Sequence, residues 1–148
     1  MKWKRRTVDD IADMICGNGE NSFFVYRSSS YLTQFFQDAD TDYAHDGSTR
    51  SYWVASTLDQ ILAEPHADAQ TPSPAFCRVI ATLMDIGDGC NDTPDRKGAL
   101  DRLNRALQRE GFEAFYAPDN KCYLRHIGTG AIAAPAANPH RPFERRQG

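Results

Sequence analysis

At Gly111 the spacing of the apolar side chains changes, and that change restricts the chain to few architectures. Upstream, large apolar residues recur three and four apart, as one face of a helix requires. Downstream, FEAFYA and CYLRHI alternate, with Pro118-Asp119-Asn120-Lys121 between them as a proline-led turn. The chain therefore reads as helices followed by a β-hairpin.

Punctuation delimits the helices. Thr7-Val8-Asp9-Asp10 is a short form of the capping box. Val8, Ile11, Ala12 and Ile15 follow at helical spacing, and Gly17-Asn18-Gly19 stops the run. Phe23-Phe24-Val25-Tyr26 fits either a strand or a loop that plugs the core. Ser28-Ser29-Ser30 precedes a second helix with Leu32, Phe35 and Phe36 on one face, ending in QDADTDYAHDG. A third helix is expected from Ser48 to near Ala63, where Pro65 enforces the stop; its buried stripe is Val54, Leu58, Ile61 and Leu62. Ser73 as cap and Pro74 at the first helical position open a fourth, lined by Phe76, Val79, Ile80, Leu83 and Met84. Thr93-Pro94 repeats that pattern ahead of a fifth, with Ala99, Leu100, Leu103, Ala106 and Leu107 inward.

The expected fold is mainly α, a compact bundle of about five helices with a C-terminal β-hairpin over residues 1–128. Residues 129–148, rich in Ala and Pro, read as a flexible linker or tail. Helices followed by a hairpin are also the order of a winged helix, in which a helix enters a groove, although many α-rich domains share that order.

A chain of 148 residues can bury a core without disulfide or metal staples. A net charge of −3 argues against a surface that is nucleic-acid footprint throughout, and leaves room for a local basic patch. Cys16, Cys77, Cys90 and Cys122 are scattered, with no paired spacing, as expected of reduced thiols in a cytoplasmic protein. Asp9, Asp10 and Asp13 interrupt the apolar positions that follow the basic start, so no signal-peptide core forms. No run approaches the ~18 apolar residues of a membrane span.

Several chemical patterns fail on inspection. Asp38, Asp40 and Asp42 begin like an EF-hand loop, but the sixth position is Tyr43 and the twelfth Thr49, where Gly and Glu are required. Ser28, Ser29 or Ser30 with His45 could be imagined as a hydrolase, yet no nucleophile elbow frames them. Glycine-rich nucleotide motifs are missing, and His66, His126 and His140 suggest no role. The chain is expected to be non-enzymatic, without cofactor or metal.

Two features remain. Arg27-Ser28-Ser29-Ser30-Tyr31 and Gly47-Ser48-Thr49-Arg50-Ser51-Tyr52-Trp53 each set hydroxyls, an arginine and aromatics at a helix start. There, open N–H groups, the helix dipole and a guanidinium favour an anion such as phosphate. Arg27, Ser48, Thr49, Arg50 and Trp53 are thus candidates for a phosphate-bearing ligand, with Tyr52 or Trp53 alongside to stack. The structural alternative is simple capping, with an Asp46–Arg50 or Asp42–Arg27 pair stitching helices together. On the fifth helix Arg102, Arg105 and Arg109 fall within roughly 60° of one another. They are candidates for nucleic-acid phosphates, or a solvated face offset by Asp95, Asp101 and Glu110.

MKWKRRTVDDIADMICG, YRSSSYLTQFF, DYAHDGSTRSYWV and CYLRHIGTGAIAAPAANPHRPF together resemble the AbiJ-type N-terminal domain of bacterial phage-defence proteins, of the abortive-infection and restriction-like kind. The likeness runs from Met1 to Phe143. In such proteins an effector domain follows the segment corresponding to NPHRPF. The resemblance implies an accessory module, either isolated or shortened, that senses infection, binds nucleic acid or restrains a partner nuclease fused to it or acting in trans. It carries no catalytic residues over.

Overall fold

The structure, a computed structural model, describes residues 1–18, 23–85, 96–133 and 135. Five helices precede a small sheet: α1 (Arg5–Cys16), α2 (Ser29–Asp38), α3 (Arg50–Leu62), α4 (Pro74–Leu83) and α5 (Arg96–Leu107). A 3₁₀ turn, Gln108–Glu110, leads into β1 (Phe112–Tyr116), β2 (Cys122–His126) and β3 (Ile132–Ala133). The sheet is antiparallel in the order β1-β2-β3. This is the mainly α architecture that the periodicity predicts.

The stripes read from the sequence meet in one core. Ile11 and Ile15 of α1, Leu32 and Phe36 of α2, Leu58 and Ile61 of α3, Phe76 and Ile80 of α4 and Leu103 of α5 are all sealed from solvent. Trp3 packs edge-on against Phe76 at 4.8 Å and tilted over Phe112 at 5.6 Å, pinning the N-terminal segment between α4 and the sheet. Burial of Cys16 and Cys77 pushes their thiols up to about 11 and about 12, which suits inert core residues.

Two boundaries differ from the sequence reading. α1 begins at Arg5 with Lys4 as its cap, so Thr7 lies buried inside the first turn and its hydroxyl has no partner among the described residues. The Lys4 carbonyl accepts from the amides of Thr7 and Val8 at 3.0 and 3.1 Å, and the Lys4 N–H is held by the Glu110 carboxylate at 3.1 Å. A contact 106 residues away therefore displaces the local capping box. Ordered structure also passes residue 128, because β3 pairs with β2 through Leu124–Ala133 and Arg125–Ile132, and Ala133 is buried. The Thr93-Pro94 cap, Cys90, Asp95 and all of the tail beyond residue 135 lie outside the described residues.

The hairpin's free edge is blunted. The Asn104 side chain accepts from the Ala114 N–H at 2.6 Å and donates to the Ala114 carbonyl at 3.1 Å, so its amide does what a further strand would do. Asn104→Ala should leave both half-buried groups without a partner and cost about 2 kcal/mol. Thermal unfolding should show a midpoint lower by roughly 4–8 °C. A midpoint within a degree of the parent would mean that water replaces the amide.

Candidate functional site

The first candidate site is built around the end of α1. Gly17 takes a φ of 71°, and its N–H reaches the carbonyls of Asp13 and Met14 at 3.0 and 3.1 Å. A Cβ here would meet the Val25 carbonyl oxygen at 2.1 Å, so only glycine fits. The last two carbonyls are met by arginines from elsewhere. Arg27 donates through Nη1 to Ile15 at 2.9 Å and through its backbone N–H to Cys16 at 3.0 Å. Arg50 donates through Nη2 to the same Cys16 carbonyl at 2.9 Å and through Nε to the Arg27 carbonyl at 2.9 Å. Two guanidinium groups thus sit at the negative end of the α1 dipole.

That geometry answers why an arginine stands in the first turn of α3. Arg50 reaches away from the positive end of its own helix to the carbonyl end of another. It lies over the Tyr26 ring at 4.3 Å and makes no bond to Asp46. Arg27 is 7% exposed and lies over the Phe35 ring at 4.6 Å. The expected grip of Arg27 and Arg50 on an external anion is therefore replaced by a grip on backbone carbonyls.

The other members of that set are likewise committed. Ser48 donates to Asp46 Oδ1 through both its amide, at 3.0 Å, and its hydroxyl, at 2.5 Å. The Ser48 hydroxyl, more than any other neighbour, holds the Asp46 carboxyl below its usual range, and the resulting negative group stands beside the proposed anion position. Thr49 is the α3 cap and makes no side-chain cap bond. Trp53 is 7% exposed, edge-on to Phe36 at 5.3 Å and to His45 at 5.2 Å, so it belongs to the core; Tyr52, its neighbour, is 70% exposed. The His45 ring accepts the Gly47 N–H at 3.1 Å, while Ser28 and Ser30 bond each other at 3.3 Å.

Arg78 repeats the device in a place where the sequence reading saw nothing. Its Nε reaches the Ala39 carbonyl at 2.9 Å and its Nη2 the Asp40 carbonyl at 3.4 Å, closing the end of α2. It also lines a cleft of about 890 Å³ with Tyr26, Tyr31, Gln34, Asp85 and Lys121, in which both signs of charge are present.

The α5 face is different in kind. Lys97 pairs with Asp101 at 3.0 Å, Arg96 lies 5.8 Å from the Tyr116 ring, and Arg109 pairs with Asp10 of α1 at 2.6 Å. Arg102 is half-buried and Arg105 exposed, and neither makes a hydrogen bond or ion pair among the described residues. From Arg96 to Glu110 there are five basic and two acidic residues, against a net charge of −3 for the whole chain.

Among the described residues no group of three His, Cys, Asp or Glu side chains could hold a metal ion, and no helix is long and apolar enough to cross a membrane. No family model, curated protein or solved structure matches this chain.

Proposed function

We propose that this domain is a non-enzymatic recognition module of a bacterial anti-phage defence system, acting in the cytoplasm and binding nucleic acid through the outer face of α5. The observation that carries the reading is the contrast among the arginines. Arg27, Arg50 and Arg78 are occupied by carbonyls, whereas Arg102 and Arg105, on a basic helix, make no hydrogen bond or ion pair among the described residues. Arg109, which the sequence placed on the fifth helix, falls instead in the 3₁₀ turn after it, with one buried guanidinium nitrogen paired to Asp10. Guanidinium groups in a row exchange condensed counterions for phosphates, which gives affinity without reading bases. The helix leads through the 3₁₀ turn into the β1–β2 hairpin, the order in which winged helices present a reading helix and a wing. The defence setting comes from the likeness of the four quoted stretches to AbiJ-type domains.

Fluorescence anisotropy with labelled DNA and RNA between 50 and 200 mM salt tests this. Binding should weaken steeply with salt, and Arg102→Gln with Arg105→Gln should lower the log–log slope by about 1.8 on duplex and about 1.4 on a single strand. Absence of binding at 50 mM salt, or an unchanged slope in the double variant, would remove α5 as the interface.

A second reading, a protein-interaction surface controlling a partner nuclease or self-association, rests on the outer face of the sheet. There Phe115 and Tyr123 form a half-exposed cross-strand pair, Arg125 lies over Phe115 at 4.7 Å while bonded to Glu113, and Ile132 is 56% exposed. Light scattering on the purified chain, alone and with Phe115→Ser, separates self-association from a monomer.

A further inference from the structure

The first six residues hold four cations, Lys2, Lys4, Arg5 and Arg6, about 100 positions before the α5 arginines. The fold joins the two stretches. Lys4 donates through Nζ to the Arg109 carbonyl at 3.0 Å, its N–H takes the Glu110 carboxylate, and Asp10 of α1 meets Arg109. Arg6 lies one turn before Asp10 and on the same face of α1, which places it beside the Arg109 end of the row. Arg5, its neighbour, turns to the other side and bonds Asp9 and Asp59 at 3.1 and 2.8 Å.

Among the described residues here, Asp10 is met by Arg109, Asp101 by Lys97 and Glu110 by the Lys4 amide. Arg6, Arg102 and Arg105 have none among the described residues. The described charges here, Lys4, Arg6, Lys97, Arg102, Arg105 and Arg109 against Asp10, Asp101 and Glu110, sum to a positive field on a chain that is acidic overall.

Building on the α5 reading, we infer that the interface is composite: Arg6, with Lys4 beside it, continues the row of Arg102, Arg105 and Arg109 onto α1, and the partner is a nucleic-acid backbone long enough to cross both helices. Phosphates of a nucleic acid fit better than a lipid surface. Membrane-surface helices need exposed apolar side chains beside their cations. The exposed large hydrophobics among the described residues, Tyr26, Tyr31, Tyr52, Ile127 and Ile132, all lie outside α1 and α5, and Trp3 is buried.

The test compares Arg6→Gln with Arg5→Gln, two adjacent changes that remove the same charge from faces of α1 about 100° apart. Both are made in the full chain and titrated with a labelled 24-base-pair duplex, with phosphatidylserine vesicles as a second probe. Arg6→Gln should lower the salt slope by about 0.9, equivalent to about fifteenfold weaker binding at 50 mM salt if affinities converge near 1 M. Arg5→Gln should leave the slope at the parental value, and both variants should melt within about 2 °C of the parent. Equal effects from the two variants, or a parental slope for Arg6→Gln while the Arg102/Arg105 double variant loses its share, would overturn the composite interface and leave the α5 reading standing. A parent chain that binds vesicles but no nucleic acid, or binds neither, would overturn both.

Discussion

Trp53→Ala should lower stability by about 4 kcal/mol, while the same truncation at Tyr52 should change it by no more than about 0.5 kcal/mol. The two residues are adjacent on α3, and both look like stacking groups in the sequence. Trp53 faces the core, 7% exposed, with its ring between Phe36 and His45; Tyr52 is 70% exposed. Removing the indole opens a cavity that Phe36 and Leu58, both fully buried, cannot fill without leaving their own contacts. Tyr52 lines a shallow groove between α1 and α3, where water replaces its ring. Urea unfolding with an unchanged m-value is the measurement, and Trp53→Ala should melt roughly 8–16 °C below the parent. A Trp53→Ala protein as stable as Tyr52→Ala would return Trp53 to the surface and to a stacking role.

The legible part of the fold was the part governed by local chemistry. Ser73-Pro74 opens α4 as expected, with Ser73 Oγ accepting the Phe76 amide at 3.4 Å, and Gly17 ends α1 in the left-handed conformation. The strands fall on FEAFY and CYLRH, where alternation placed them. What stayed hidden depends on partners without a residue-type signal. Ser73 also donates to the Ile61 carbonyl at 2.6 Å, and Arg50 finds the Cys16 carbonyl across 34 positions; every residue has a carbonyl, so no spacing marks these acceptors. β3 escaped notice because two residues in an Ala, Gly and Pro context carry no period.

The same logic sorts the charges. Guanidinium groups near a helix's C-terminal end find oxygen atoms that the helix cannot satisfy itself, so Arg27, Arg50 and Arg78 turn inward and become part of the architecture. Arg102 lies in the body of α5 and Arg105 in its last turn, and neither side chain makes a hydrogen bond or ion pair among the described residues. Whether the side chain reaches the carbonyl end of another helix, more than the number of arginines, decides which ones remain available to a phosphate. The acidic total of the chain conceals this, since cations outnumber carboxylates among the described residues of this face.

Arg27→Ala should cost about 3 kcal/mol and leave the salt dependence of nucleic-acid binding unchanged, a pair of outcomes that a phosphate-gripping arginine would not give. The side chain is almost sealed from solvent, donates to the Ile15 carbonyl inside the core and covers the Phe35 ring. A charge-assisted bond of this kind contributes roughly 1.5–3 kcal/mol, and the cation over the ring about 1 more; release of a desolvated charge offsets part of the loss. Arg27→Lys keeps the charge but supplies a compact ammonium in place of a planar fork, so it should recover less than half of the stability. Thermal unfolding should place the alanine variant roughly 6–12 °C below the parent, and amide exchange should quicken first at the last turn of α1, where the Ile15 carbonyl loses its donor. If Arg27→Ala instead melts with the parent and its binding slope falls by about the 0.9 of one phosphate, the arginine serves a ligand and the cap at α1 is incidental.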